Sequence, residues 1–117
     1  MSAPSIQTAI PKRRYQFGPY QVVLLGEVES PDPVRYQFIL AFVRPGATKP
    51  DFFITSEKNP RARAAEGSHR MRVWQVQGDV ECGSSNAYGN ADSFVDAAFA
   101  EATIPLGIVG VAPVRVM

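Results

Sequence analysis

Residues 34–44 read VRYQFILAFVR, and this stretch decides the fold. Val34, Tyr36, Phe38, Leu40 and Phe42 recur at every second position, which is the period of a β-strand and not of a helix. Arg35 and Gln37 begin the opposite face, but that face turns apolar at Ile39, Ala41 and Val43. A strand that is apolar on both sides belongs inside a sheet, with cover on each face. Pro45 and Gly46 follow and suit the two central positions of a type II turn, because proline presets φ and glycine accepts φ > 0. Residues 51–56 resume the apolar run with Phe52, Phe53 and Ile54, so the two stretches are predicted to form an antiparallel hairpin.

Upstream, residues 20–29 carry Val22, Val23, Leu24 and Leu25 and read as a second central strand. Pro31-Asp32-Pro33 ends it, since neither proline can donate a ladder hydrogen bond. Tyr15 and Phe17 alternate as a short strand behind Lys12, Arg13 and Arg14, while residues 1–11 are small, polar and proline-bearing and are expected to be a flexible arm. Downstream, residues 57–69 show no period and are expected to form a loop. Residues 70–82 read as one strand with Trp74, Val76 and Val80 on one face and a bend at Gly78.

A Gly/Ser/Asn stretch, residues 83–90, precedes the clearest helical signal. Over residues 91–104, Phe94, Ala98 and Ala102 stack at intervals of four, with Val95 and Phe99 beside them. Asn90 is positioned as N-cap, Asp92 complements the helix dipole, and Pro105 and Gly107 stop the helix. Residues 108–117 are apolar enough for a last edge strand, held to that role by Pro113. The expected fold is therefore α+β: an antiparallel meander of about five strands, one C-terminal amphipathic helix and a last edge strand, all in one domain over residues 12–117.

The composition excludes several classes. Apolar residues are 45% and charged residues 20% of the 117, the balance of a chain that folds around one core. The net charge of +1 names no partner, so any electrostatic function must come from local clustering. Cys82 is the only cysteine and can make neither an intrachain disulfide nor a cysteine-rich zinc site, which fits a reducing cytoplasm. The N-terminus lacks the apolar stretch of a secretory signal, and no run reaches the length that spans a bilayer, so no membrane partner is expected.

Chemical motifs are sparse. His69, the single histidine, is a candidate general base, and Cys82 a candidate thiol nucleophile beside it. A lone histidine at a strand entry is more often solvated than catalytic, and a buried free cysteine more often behaves as a small hydrophobe. No metal-ligand spacing and no phosphate-binding glycine fingerprint occurs, so no metal or cofactor is expected. The basic residues do cluster, Lys12, Arg13 and Arg14 in one group and Lys58, Arg61, Arg63, Arg70 and Arg72 in another, with Trp74 beside the second. Basic rims around aromatic strands track phosphates and stack bases, so these nine residues form the candidate polyanion site.

Three functions follow in order. The first is a non-enzymatic binding or assembly module that associates with itself, because one helix cannot cover two apolar sheet faces. The second is a binder of single-stranded nucleic acid or another polyanion. The third is a small enzyme using His69.

Overall fold

Six successive segments become strands, and period-two alternation is clearest over Tyr20–Glu29 and His69–Gln75. The computed structural model describes residues 3–59 and 67–117. Within them β1 (Thr8–Phe17), β2 (Tyr20–Glu29), β3 (Tyr36–Val43), β4 (Phe52–Lys58), β5 (His69–Gln75) and β6 (Gly78–Ser85) run as an antiparallel meander. A 3-10 turn (Asn86–Gly89) leads into helix α1 (Ala91–Leu106), and β7 (Val114–Arg115) returns to pair with β1. The sheet has seven strands in the order β6-β5-β4-β3-β2-β1-β7. The fold is thus α+β with a single antiparallel sheet and one C-terminal helix, as expected, but with more strands than the five anticipated.

The extra strands have a physical origin. The stretch read as one strand over residues 70–82 is a hairpin: Gln75 pairs with Gly78 across the two residues Val76 and Gln77. Gly78, at φ 155°, starts the return strand instead of bending a continuous one. This corrects the face assignment. Val80 sits opposite Val73, whereas Trp74 sits opposite Asp79, so Val80 and Trp74 lie on different faces. At the other end β1 begins at Thr8, so residues 8–11 of the expected arm are paired along β2. Ser5 is also anchored, its N–H donating to Asp32 Oδ2 at 3.0 Å, while the Tyr36 hydroxyl donates to the same oxygen at 2.6 Å. Burial pushes the Asp32 carboxyl up, but these bonds outweigh it and hold it below its ordinary value.

Alternation decides what α1 covers. Phe17 of β1, Val22 and Leu24 of β2, Leu40 and Phe42 of β3, Ile54 of β4 and Met71 of β5 all point to one face and are almost fully buried. The helix lays Phe94, Val95, Ala98, Phe99 and Ala102 on them, which is the stripe read from the sequence. Phe99 is the keystone: its ring lies 5.2 Å from Tyr15, 4.9 Å from Phe17 and 5.8 Å from Phe42 between centroids. Asn90 caps the helix by accepting from Ser93 N–H at 3.1 Å. Pro105 does not stop it, as the sequence reading had it, but rides in the last turn. Termination falls to Gly107 in the left-handed region at φ 67°, with closing bonds from Gly107 N–H to Ile104 and from Ile108 N–H to Thr103.

The second sheet face bears its own apolar cluster of Tyr36, Ile39, Ala41 and Phe53. Ile39 is 0% exposed although no described helix lies over it, and Leu25, Val28, Val34 and Trp74 pack against the cluster.

Candidate functional site

Strand alternation places Arg70, Arg72 and Trp74 together on the face of β5 that points away from α1. The Arg72 guanidinium lies 5.9 Å from the centre of the Trp74 ring, and the indole N–H donates to Thr55 Oγ1 at 2.9 Å. The predicted pairing of a cation with an aromatic platform therefore exists. Its charge, however, is already balanced. Arg72 Nε donates to both Glu57 oxygens at 3.2 Å, and its Nη1 donates to Asp79 Oδ2 at 2.7 Å. Arg70 meets Glu81 at 3.3 Å. Burial alone would lower the Arg72 pKa, but the bonds to Glu57 and Asp79 raise it above its ordinary value. Glu57 is only 1% exposed, so the arginine is held as a structural partner on a face that is close to neutral.

The group of Lys12, Arg13 and Arg14 is divided by the strand that carries it. Successive side chains of β1 point to opposite faces. Arg13 reaches Asp92 of α1 at 2.7 Å and donates to the Tyr15 hydroxyl at 3.3 Å, which together raise its pKa. Lys12 is paired with Glu27 at 2.6 Å. Arg14 has no ion pair among the described residues and lines a cleft of about 600 Å³ with Gln16, Gln21, Val23, Val43 and Val116. Because β1 and β5 are four strands apart, roughly 19 Å lies between the two groups at ordinary strand spacing. Arg61 and Arg63 lie outside the described residues.

Lys58 stands apart from the β5 face. It ends β4 beside Arg35, whose carbonyl accepts from Lys58 N–H at 2.8 Å. With Pro33, Val34, Asn59, Ser68 and His69 these two cations line a cleft of about 560 Å³. Neither Arg35 nor Lys58 makes an ion pair with a described residue. Sequence reasoning missed Arg35 because it was counted as the polar start of β3; its signal was its position at the strand entry, just past Pro33, where a side chain is free of the ladder.

His69 forms one wall of this cleft. Its Nδ1 shares a hydrogen bond with Ser68 Oγ at 2.8 Å, and its Nε2 is buried without a partner among the described residues. Gly89 packs on the ring so closely that a Cβ there would lie 2.8 Å from Cε1. Burial first, and then the charge of Lys58, push the His69 pKa below its ordinary value. Cys82 is not hydrogen-bonded to it among the described residues. The thiol contacts the Val80 carbonyl, and burial, followed by repulsion from Glu101, raises its pKa, opposite to what a nucleophile needs. No group of three or more His, Cys, Asp or Glu among the described residues could hold a metal, and no helix there is long and apolar enough to cross a membrane.

No protein-family model matches this chain, and neither the curated proteins nor the solved structures contain a match to it.

Proposed function

We propose that this protein is a non-enzymatic binding and assembly module that joins copies of itself along the β1–β7 edge of the sheet. The supporting observation is where exposed apolar surface lies. Among the described residues, Val76 and Val80 sit at the β5–β6 hairpin, and every other exposed large hydrophobic falls in two stretches. Ile6 and Ile10 are at the start of β1; Ile104, Val109, Val111, Val114, Val116 and Met117 follow from the end of α1. Both stretches flank the same edge. There β7 and the two residues after it bond only to Arg14, Tyr15 and Gln16 of β1 among the described residues, so the outer side of β1 before Arg14 is left beyond its reach. An apolar edge with unpaired backbone groups is a template for another strand. The second sheet face, by contrast, closes over its own cluster, which moves the contact surface from the face to the edge.

Binding of single-stranded nucleic acid at Trp74 has less behind it, since Arg70 and Arg72 are each paired with carboxylates. A stacked base would have to displace Arg72 and strip Glu57 of its partner.

Sedimentation velocity across a concentration series tests the assembly reading. The wild type is expected to be oligomeric, and Val114→Lys with Val116→Lys is expected to be monomeric with an unchanged far-UV spectrum. A wild type that stays monomeric at high micromolar concentration overturns it.

A further inference from the structure

We propose that the cleft between the entry of β3, the end of β4 and the start of β5 binds a small phosphate monoester, held by Arg35 and Lys58. The two cations come from neighbouring strands, and the backbone bond from Lys58 N–H to the Arg35 carbonyl fixes their stems side by side. Both side chains are exposed, and two cations on one rim with no carboxylate partner among the described residues set up a local field that attracts an anion. Among the described residues the lining of this cleft contains no acid. The adjoining cleft, which shares Val34, Arg35 and Lys58, carries Glu27 and Glu29, and Glu27 is already bound to Lys12 at 2.6 Å.

The chemistry of the lining selects the class of ligand. A phosphate monoester carries about −1.5 to −2 charge at neutral pH and three acceptor oxygens, which match two cations presenting several N–H donors. A carboxylate offers half that charge. Arg35 can fork onto two oxygens while Lys58 acts as a point charge. Pro33 and Val34 provide an apolar wall for the body of the ligand, and the cleft of about 560 Å³ suits a small molecule. Ser68 and Asn59 contribute little directly, since the Ser68 hydroxyl is taken up by His69 and the Asn59 amide donates to the Gly67 carbonyl.

His69 supplies a built-in reporter. It is the single histidine, it lines the cleft, and Lys58 is the charge whose field acts on it. An anion seated on Lys58 cancels that field, so the ring must become easier to protonate when the site fills.

The experiment follows the His69 imidazole signals by NMR while inorganic phosphate, phenyl phosphate and benzoate are each titrated into the full-length protein. Both phosphates are expected to produce saturable shifts and to raise the His69 pKa, with phenyl phosphate the tighter of the two. Benzoate is expected to bind more weakly. Arg35→Gln and Lys58→Gln should each weaken phosphate binding roughly tenfold, the scale of one charge-assisted hydrogen bond. Both side chains lack an ion pair with any described residue, so the variants are expected to keep a dispersed native spectrum. Absence of a saturable shift at millimolar phosphate overturns the proposal. So does phosphate binding that survives the double variant, or benzoate binding as tightly as phenyl phosphate.

Discussion

Replacing Arg72 with Met separates the structural role of this arginine from a ligand-binding one. The substitution keeps most of the aliphatic stem over Trp74 but removes the guanidinium, leaving Glu57 buried at 1% exposure without its partner. Removing one member of a buried ion pair costs about 3–5 kcal/mol, because the remaining charge stays desolvated. Two details point to the lower end. The contacts from Nε are 3.2 Å, longer than the about 2.7–2.9 Å of strong charge-assisted bonds. Arg72 is itself 22% exposed on its side chain, so water can reach part of the site. Loss of the cation–π contact adds about 0.5–1 kcal/mol, and loss of the more exposed Asp79 contact adds less than about 1 kcal/mol. The expected total is about 3.5–5 kcal/mol. With a urea dependence of about 2 kcal/mol per molar, the unfolding midpoint should fall by roughly 1.7–2.5 M. Urea titration followed by circular dichroism measures it, with Trp74 emission as a second probe. Combining Arg72→Met with Glu57→Met should restore much of the loss, since an apolar pair of similar volume replaces the ionic one. A cost below about 1 kcal/mol for Arg72→Met, the size of a surface pair, would refute the reasoning, as would a double variant no better than the sum of the singles.

Two further outcomes follow from the core and from His69. Phe99→Ala should cost about 3–5 kcal/mol, because it empties the point where Tyr15, Phe17 and Phe42 meet under α1; thermal unfolding reads the loss, and a change under about 1 kcal/mol would mean the helix is not docked on that face. His69 should impose a pH dependence on stability. Its folded pKa lies below the ordinary 6.5, so between the folded value and 6.5 the unfolded chain binds more protons. Stability therefore rises with pH through that window, is flat above it, and is lost as pH falls from 6.5 toward the folded value. His69→Gln should remove that part of the slope, and an unchanged slope in the variant would show that other groups carry it.

The strands could be read from sequence because their signal is local. Val34 through Arg44 needs only its own alternation to be recognised, and the bounds of β2 at Tyr20 and Glu29 coincide with those read from its apolar run. The helix stripe from Phe94 to Ala102 is equally local. What failed was punctuation. Gly78 looks the same in a bulged strand as in a hairpin, because both need a residue without a Cβ; only the pairing of Gln75 with Gly78 decides between them. The arm was misjudged at Thr8 for a related reason. Ile10 and Pro11 resemble a loop until β2 is laid beside them, since an edge position tolerates proline.

The candidate site was harder to read because charge partnership is a property of register. In the sequence, Arg70 and Arg72 look like two cations in a basic segment, opposed only by distant acids. Pairing β5 against β4 sets Arg70 opposite Glu57 and Arg72 opposite Thr55, and pairing β6 on the other side sets Arg72 opposite Glu81 and Trp74 opposite Asp79. Diagonal neighbours then close the network, with Arg72 reaching Glu57 and Asp79 and Arg70 reaching Glu81. A shift of one residue in either register would turn these carboxylates to the other face and leave the arginines free, which is the patch the sequence alone described. The same reasoning explains why Arg35 and Lys58 emerged only in three dimensions. They lie 23 positions apart in the chain, yet meet where β3 begins and β4 ends. The β5 residue in register with Lys58 is His69 and not a carboxylate. At this strand end two cations stay unmatched among the described residues, whereas on the broad face of β5 Arg70 and Arg72 are matched, and that contrast is why the anion-binding proposal rests on the cleft beside His69.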